Sequence, residues 1–407
     1  MVLWFHGSVV LVTTMQIRTI TAGAREADIE RAGRAALRAR ERLVAAGYEV
    51  QTLRLALSAS GSNRCGDFVT IARGAEEQAL DAGFDNVALG PLAGERLAAL
   101  PDALAGTERV FAAAQVAGVD GAIYPDMIQA AAATVVAIGA ATPGGLGNLR
   151  FAALAGVPPG APFFPAAYHD GGAPWIAVGS EAAFLAVRAT ELRIENEKLR
   201  NNADDAQFAV LNLQFSILTQ LIEQHDAQIV AALEGIEEET GASFAGCDWS
   251  LAPHPDEQRS IGAAIEALSG VPFGDWGTLA AVRGLTAAIR AARVRRVGFS
   301  GVMLPVLEDA VLARRNSEGR FTLRDLLAFS AVCGTGLDTI PLPGDTSATQ
   351  IAGVLAEVAA LSSALGKPLT ARLVPMPGLR AGDMLRFDSE DQLHLAEFFR
   401  PTRVMRI

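Results

Sequence analysis

The stretch AVCGTGLDTIPLPGDT, residues 331–346, sets the pattern for the whole chain. Leu337 to Leu342 is apolar and β-compatible, Pro343-Gly344 breaks it, and Asp345 or Thr346 is placed to N-cap a helix that runs to Gly366. A strand feeding a capped helix through a Gly/Pro turn is the repeating unit of parallel α/β folds. The same stretch gathers the Cys333 thiol, the Asp338 and Asp345 carboxylates and the glycines Gly334, Gly336 and Gly344. A capped helix start also turns backbone N–H groups toward the preceding loop, where an anion or a polarised oxygen can sit.

On either side, apolar runs alternate with helical patterns. Gln16 to Thr21 reads as a strand, followed by a helix over Glu26 to Ala46 stopped by Gly47, then a strand over Val50 to Leu57. Asp67 caps the next helix, which Gly83 ends before the strand Phe84 to Leu89. Strands follow at Arg109 to Ala114, Leu149 to Leu154, Trp175 to Val178, Cys247 to Leu251, Val297 to Phe299 and Thr370 to Pro375, with the longest helical region over Ala203 to Thr240. No internal repeat or long linker interrupts residues 15–407, which read as one α/β domain.

Half of the 407 residues are hydrophobic and 19% are charged, enough for a large core. The net charge of -11 and the lack of a Lys/Arg cluster argue against nucleic-acid binding. Cys65, Cys247 and Cys333 are odd in number and widely spaced, which suits a reducing, cytoplasmic setting rather than a disulfide framework. Met1 to Thr14 is apolar, lacks Lys and Arg, and is too short to span a bilayer. It reads as an N-terminal extension, with Met15 as an alternative start and no membrane partner.

Five segments, the opening stretch among them, extend the picture: Arg18-Thr19-Ile20-Thr21-Ala22-Gly23, Asp248-Trp249-Ser250-Leu251-Ala252-Pro253, the run Phe299 to Asp309, the 331–346 stretch itself, and Arg372-Leu373-Val374-Pro375-Met376-Pro377-Gly378. Together, in this order, they resemble the domain of unknown function 711 family. The resemblance implies a fold similar to that of the pyruvate formate-lyase-like glycyl radical enzymes, a ten-stranded α/β barrel with helices outside and a loop inside, and no established activity. The chain departs from those enzymes at its end. Phe398 to Ile407 contains no glycine to carry a radical, so glycyl-radical chemistry is not expected.

In parallel α/β folds the loops after strand C-termini share one face, and that face holds the ligand. The polar residues are therefore expected to converge there. Arg18, in an otherwise apolar or Thr-rich strand, reads as a two-pronged clamp for a carboxylate or phosphate, or as a structural partner of a buried acid such as Asp338. Thr19, Asp248, Ser250, Gly344, Asp345 and Thr346 read as ligand-binding groups, the last three at the helix start. His169, in the Gly-rich loop Pro162 to Gly172, reads as a general acid/base, or as a loop histidine bonded to backbone. Cys333 reads as a nucleophile if the fold brings His169 or His254 to it, or as a buried inert thiol. Asp338 completes the catalytic candidates. Carboxylates such as Asp126, Asp248, Glu308, Asp309 and Asp338 could instead pair with Arg, cap helices or share a divalent metal, and no spacing here is diagnostic of a metal site.

Gly144-Gly145-Leu146-Gly147 follows a helical pattern rather than a strand and is no dinucleotide fingerprint. No P-loop, H-E-x-x-H or G-x-S-x-G motif occurs. Three readings follow. The first is an enzyme acting on a small, polar or carboxylate-bearing metabolite by acid/base or metal-assisted chemistry. The second is a non-catalytic protein that binds or senses a small-molecule ligand. The third is an oligomeric scaffold, a homo-oligomer joined through the long helical region.

Overall fold

The computed structural model describes residues 15–58, 67–197, 206–387 and 395–407, so the expected extension 1–14 and Cys65 lie outside the described residues. The strands that matter here are β1 (Ile17–Ala24), β2 (Val50–Leu57), β3 (Asn86–Pro91), β4 (Val110–Ala117), β5 (Phe151–Ala155), β6 (Trp175–Ser180), β7 (Ser243–Asp248), β8 (Gly336–Pro343) and β9 (Leu369–Met376). They form one nine-stranded sheet in the order β7-β6-β1-β2-β3-β4-β5-β9-β8. β1 to β5 run parallel to one another. β6 and β7 form a parallel pair, as do β8 and β9. The two joins, β1 to β6 and β5 to β9, are antiparallel.

This corrects two expectations. The sheet is mixed, so strand C-termini do not share one face: each rim combines C-terminal ends of one block with N-terminal ends of the other. The ladder is also nine-stranded rather than a closed ten-stranded barrel. The expected strand Val297 to Phe299 is not one, and the reason lies in its backbone. Gly298 and Ser300 take left-handed conformations, φ 63° and 41°, and the N–H groups of Phe299 and Ser300 donate to the Asp248 carboxylate instead of a neighbouring strand. Isolated parallel bridges nevertheless tie residues 296–305 to both edges of the sheet, through Cys247 with Arg296, Leu251 with Val302, and Pro305 with Asp338.

The stretch 162–169 shows how the sheet curls. The Pro162 carbonyl accepts from Thr21 of β1 at 2.9 Å, Phe164 stacks edge-on with Phe111 of β4, and the Arg372 guanidinium of β9 lies over the Phe163 ring at 5.7 Å. A segment can touch strands so far apart in the order only if the sheet wraps around it.

The helices pack on the sheet through small residues. Ile29–Ala45 buries Ala32, Ala35, Ala36, Ala39 and Leu43, a stripe at helical spacing whose short side chains permit close approach. Ala348–Leu365 ends at Gly366 as expected, but Asp345 and Thr346 do not cap it. Ser347 does, in a reciprocal capping box with Gln350. This helix is apolar and long enough to cross a membrane by length and composition, and it buries Ile351, Leu355, Val358 and Ala359 in the protein. The long helical region resolves into Ala206–Ala232 and Ile236–Thr240, with Gly235 in a left-handed conformation between them. Leu218, Ile222 and Ile229 of the longer helix are buried in the core.

Candidate functional site

A cavity of about 1090 Å³ opens where the N-terminal ends of β1, β2 and β4 meet the C-terminal ends of β6 and β7. Its electrostatics are set by guanidinium groups. Arg372, projecting from the middle of β9, donates to Asp338 Oδ1 at 2.7 Å, to Glu308 Oε1 at 2.9 Å and to the Leu149 carbonyl at 3.4 Å. Burial pulls against its charge, but the two carboxylates outweigh it and hold the group above the usual arginine value. Asp338 is fully buried and its Oδ2 has no partner; burial pushes its carboxyl up, with Arg372 opposing. Asp338 stands behind Arg372 rather than in the cavity lining.

Arg18 lines the cavity and donates to the Pro253 carbonyl. Its other contacts are long: 3.7 Å to Glu181 and 3.9 Å to Glu308. Glu181, at the end of β6, is already engaged by Arg259 and by Gln51 at 2.8 Å. Thr19, next to Arg18 in β1, is buried and lines the cavity, with its hydroxyl 3.3 Å from that of Thr21.

Arg54 differs from these. Its Nε donates to Thr52 Oγ1 at 3.1 Å and its guanidinium lies 5.4 Å from the centre of the Phe164 ring. Among the described residues no carboxylate lies within ion-pair distance of it. Burial, followed by the like charge of Arg18, pulls its pKa down to about 9. The group remains cationic at neutral pH; Glu308 and Asp85 favour its charge from a distance, and neither pairs with it.

Asp248 and Ser250 also line the cavity, but the carboxylate is spent on the fold. Asp248 Oδ1 accepts from Ser250 N (3.0 Å), Ser250 Oγ (2.6 Å) and Ser300 N (2.9 Å), and Oδ2 from Phe299 N (3.0 Å). His254 lies just past β7 with Nδ1 accepting from Asp256 N at 3.3 Å. Burial, followed by a smaller opposing pull from Glu181, lowers its pKa, so the ring is neutral with its proton on Nε2.

The other predicted residues sit elsewhere. His169 is buried, 2% exposed, and outside the cavity lining. Its Nδ1 accepts from Gly171 N at 3.0 Å and its Nε2 lies 3.1 Å from the Ala173 carbonyl, so both nitrogens pin the loop that leads into β6. Cys333 is fully buried, its sulfur accepting from Gly336 N at 3.3 Å and its carbonyl from Lys367 Nζ at 2.5 Å. Gly334 packs on Gly301 so closely that a Cβ would lie 2.7 Å from the Gly301 backbone. Gly344 is similarly held, donating to the Leu379 carbonyl at 3.0 Å. Thr346 donates to Pro343, and Asp345 is exposed. None of these lines the cavity.

The structure thus joins Arg18, Thr19, Asp248 and Ser250, with Asp338 behind them, and separates them from His169, Cys333 and residues 344–346. The sequence reading missed Arg54 and Arg372, although each is a charge inside an apolar strand, the signal that exposed Arg18. No group of three or more His, Cys, Asp or Glu side chains placed to hold a metal occurs among the described residues.

Fold and site together define a mixed α/β protein whose curled sheet encloses an arginine-rich cavity of ligand size. The chain belongs to the family described as "Uncharacterised ACR (DUF711)", whose profile matches residues 9–390. It is 33% identical to a UPF0210 protein of Pyrobaculum aerophilum over 70% of this chain and 61% of that one, and 33% identical to one of Methanopyrus kandleri with the same coverage. A UPF0210 protein of Syntrophobacter fumaroxidans is 30% identical over 84% of this chain and 77% of its own length. The chain spans about three fifths of the length of the first two of these relatives.

Proposed function

We propose that the cavity binds a small anionic metabolite through Arg54 and Arg18. The observation that carries this reading is Arg54, a guanidinium held in a cavity between like charges with no acid to meet it. Burying an uncompensated charge costs several kcal/mol, and a bound anion removes that cost. Catalysis at this site would be acid/base: His254 presents an Nε2–H to polarise an oxygen of the ligand, and Glu308 lies between Arg18 and Arg372. A non-catalytic binder is the second reading, favoured by the engagement of Glu181, Glu308 and Asp248 with protein partners. In the same proposal residues 296–305 act as a tenth stave, making the sheet a ring around the site; the paired bridges to β7 and β8 support this.

The test is to equilibrate purified protein with a metabolite extract, remove unbound material, and identify retained compounds by mass spectrometry. Acids should be retained by the wild type and lost from Arg54→Gln. Identical profiles from both proteins would remove the proposal.

A further inference from the structure

The cavity also specifies the body of its ligand. We infer that the ligand is an amphipathic monocarboxylate, one acid head on an aromatic or medium-chain apolar body; this rests on the anion-site reading above.

Two observations support it. First, the polar demand of the cavity is small. Arg372 is met by Asp338 and Glu308, Arg259 by Glu181, and Arg150 by the carbonyls of Leu104 (2.5 Å) and Thr107 (2.8 Å). Among the described cavity-lining residues Arg54 is the arginine left with neither an acid nor a carbonyl acceptor. Glu49 and Glu108 also line the space and would repel a second or third negative charge on the ligand. A single carboxylate therefore matches the site, and a polyphosphate does not.

Second, the remaining wall is apolar. Phe111, Phe163, Phe164, Leu149, Met303 and Phe399 line the same space. Phe164 carries Arg54 over its face and meets Phe111 edge-on at 5.2 Å, while Phe163 is held edge-on against Phe299 at 5.5 Å. The cationic head and the aromatic wall thus share a side chain. A bare oxyanion would fill a minor part of about 1090 Å³ and leave the half-buried Phe111 and Phe163 rings against water. An apolar body filling the space beside them releases that water, at about 0.8 kcal/mol per methylene, or about fourfold in affinity.

The experiment is isothermal titration calorimetry of the full chain with acetate, butanoate, hexanoate, octanoate, octanamide and inorganic phosphate, repeated on Arg54→Gln after its fold is verified by circular dichroism. The inference expects affinity to rise about fourfold per methylene, octanamide to bind at least tenfold more weakly than octanoate, and Arg54→Gln to lose at least tenfold on octanoate. Equal affinity from acetate to octanoate, with loss in Arg54→Gln, would retain the anion site and overturn the apolar body. Phosphate binding more tightly than octanoate would do the same. No binding by any acid, or octanoate binding that Arg54→Gln leaves unchanged, would overturn both.

Discussion

Replacing Asp248 with Asn tests whether this carboxylate holds the fold or waits for a ligand. In the wild type, Oδ1 takes three donors, the Ser250 N–H and hydroxyl and the Ser300 N–H, while Oδ2 takes the Phe299 N–H. An Asn in the same rotamer keeps an oxygen for the first three and points an NH2 at Phe299. One charge-assisted bond disappears and a buried N–H is stranded, at about 1–3 kcal/mol for each loss. Against this, burial pushes the Asp248 carboxyl up, so removing the charge recovers part of its desolvation cost. The net loss is about 2–3 kcal/mol for Asn and about 4 kcal/mol for Ala, which strands all four donors. Guanidinium unfolding of the three proteins, compared at equal m-value, measures this. An Asn variant within about 0.5 kcal/mol of wild type that had lost binding of the retained acid would refute the argument and return Asp248 to the ligand.

Three further outcomes follow from the same contacts. Arg54→Leu removes an uncompensated cation and should stabilise the unliganded protein by about 1–2 kcal/mol while abolishing acid binding; a destabilised variant in chemical unfolding would show that Arg54 has a structural partner. His225, buried with Nδ1 2.9 Å from the Tyr48 hydroxyl, has its pKa lowered by burial. As pH falls through 6.5 the unfolded chain takes up a proton that the native ring resists, so stability falls until the native pKa is passed. His225→Gln should make stability, followed by unfolding between pH 7 and 5, visibly less pH-dependent, with His254 supplying a remaining slope of the same sign. Ser347→Ala removes a helix cap and should cost about 1 kcal/mol, whereas Asp345→Ala should change the unfolding midpoint little because Asp345 is exposed and forms no cap.

The alternation of strands and helices was legible because apolar runs are separated by glycines that stop helices, Gly47, Gly83 and Gly366, each in a left-handed conformation in the structure. Strand direction was not legible. β8 and β9 are buried along their whole length, and a strand buried on both faces carries no periodicity that distinguishes parallel from antiparallel neighbours. That gap placed the polar segments on one face when they divide between two rims. The helix start was readable and misread: Ser347 is followed three residues later by Gln350, the capping-box spacing, whereas Asp345 is followed by Ala348. His169 illustrates a different limit. An imidazole in a glycine-rich loop suits proton transfer and equally suits the Gly171 N–H and the Ala173 carbonyl, and the choice depends on how the loop folds.

The antiparallel joins explain why the cavity forms where it does. Had all strands run one way, Arg18, near the start of β1, would lie at the opposite rim from Glu181 and Pro253, which follow the ends of β6 and β7. Reversing the second block brings these groups to the same mouth, so inward-facing charges of one block find partners on the other. Arg18 meets the Pro253 carbonyl in this way, and Arg372 reaches the Leu149 carbonyl across the second join. Arg54 sits deeper on β2, beyond the reach of the β6 and β7 exits, with Phe164 beneath it where an acid would otherwise stand. On the proposed reading, this unpaired charge facing an aromatic ring is where a ligand's acid group would complete the electrostatics of the site.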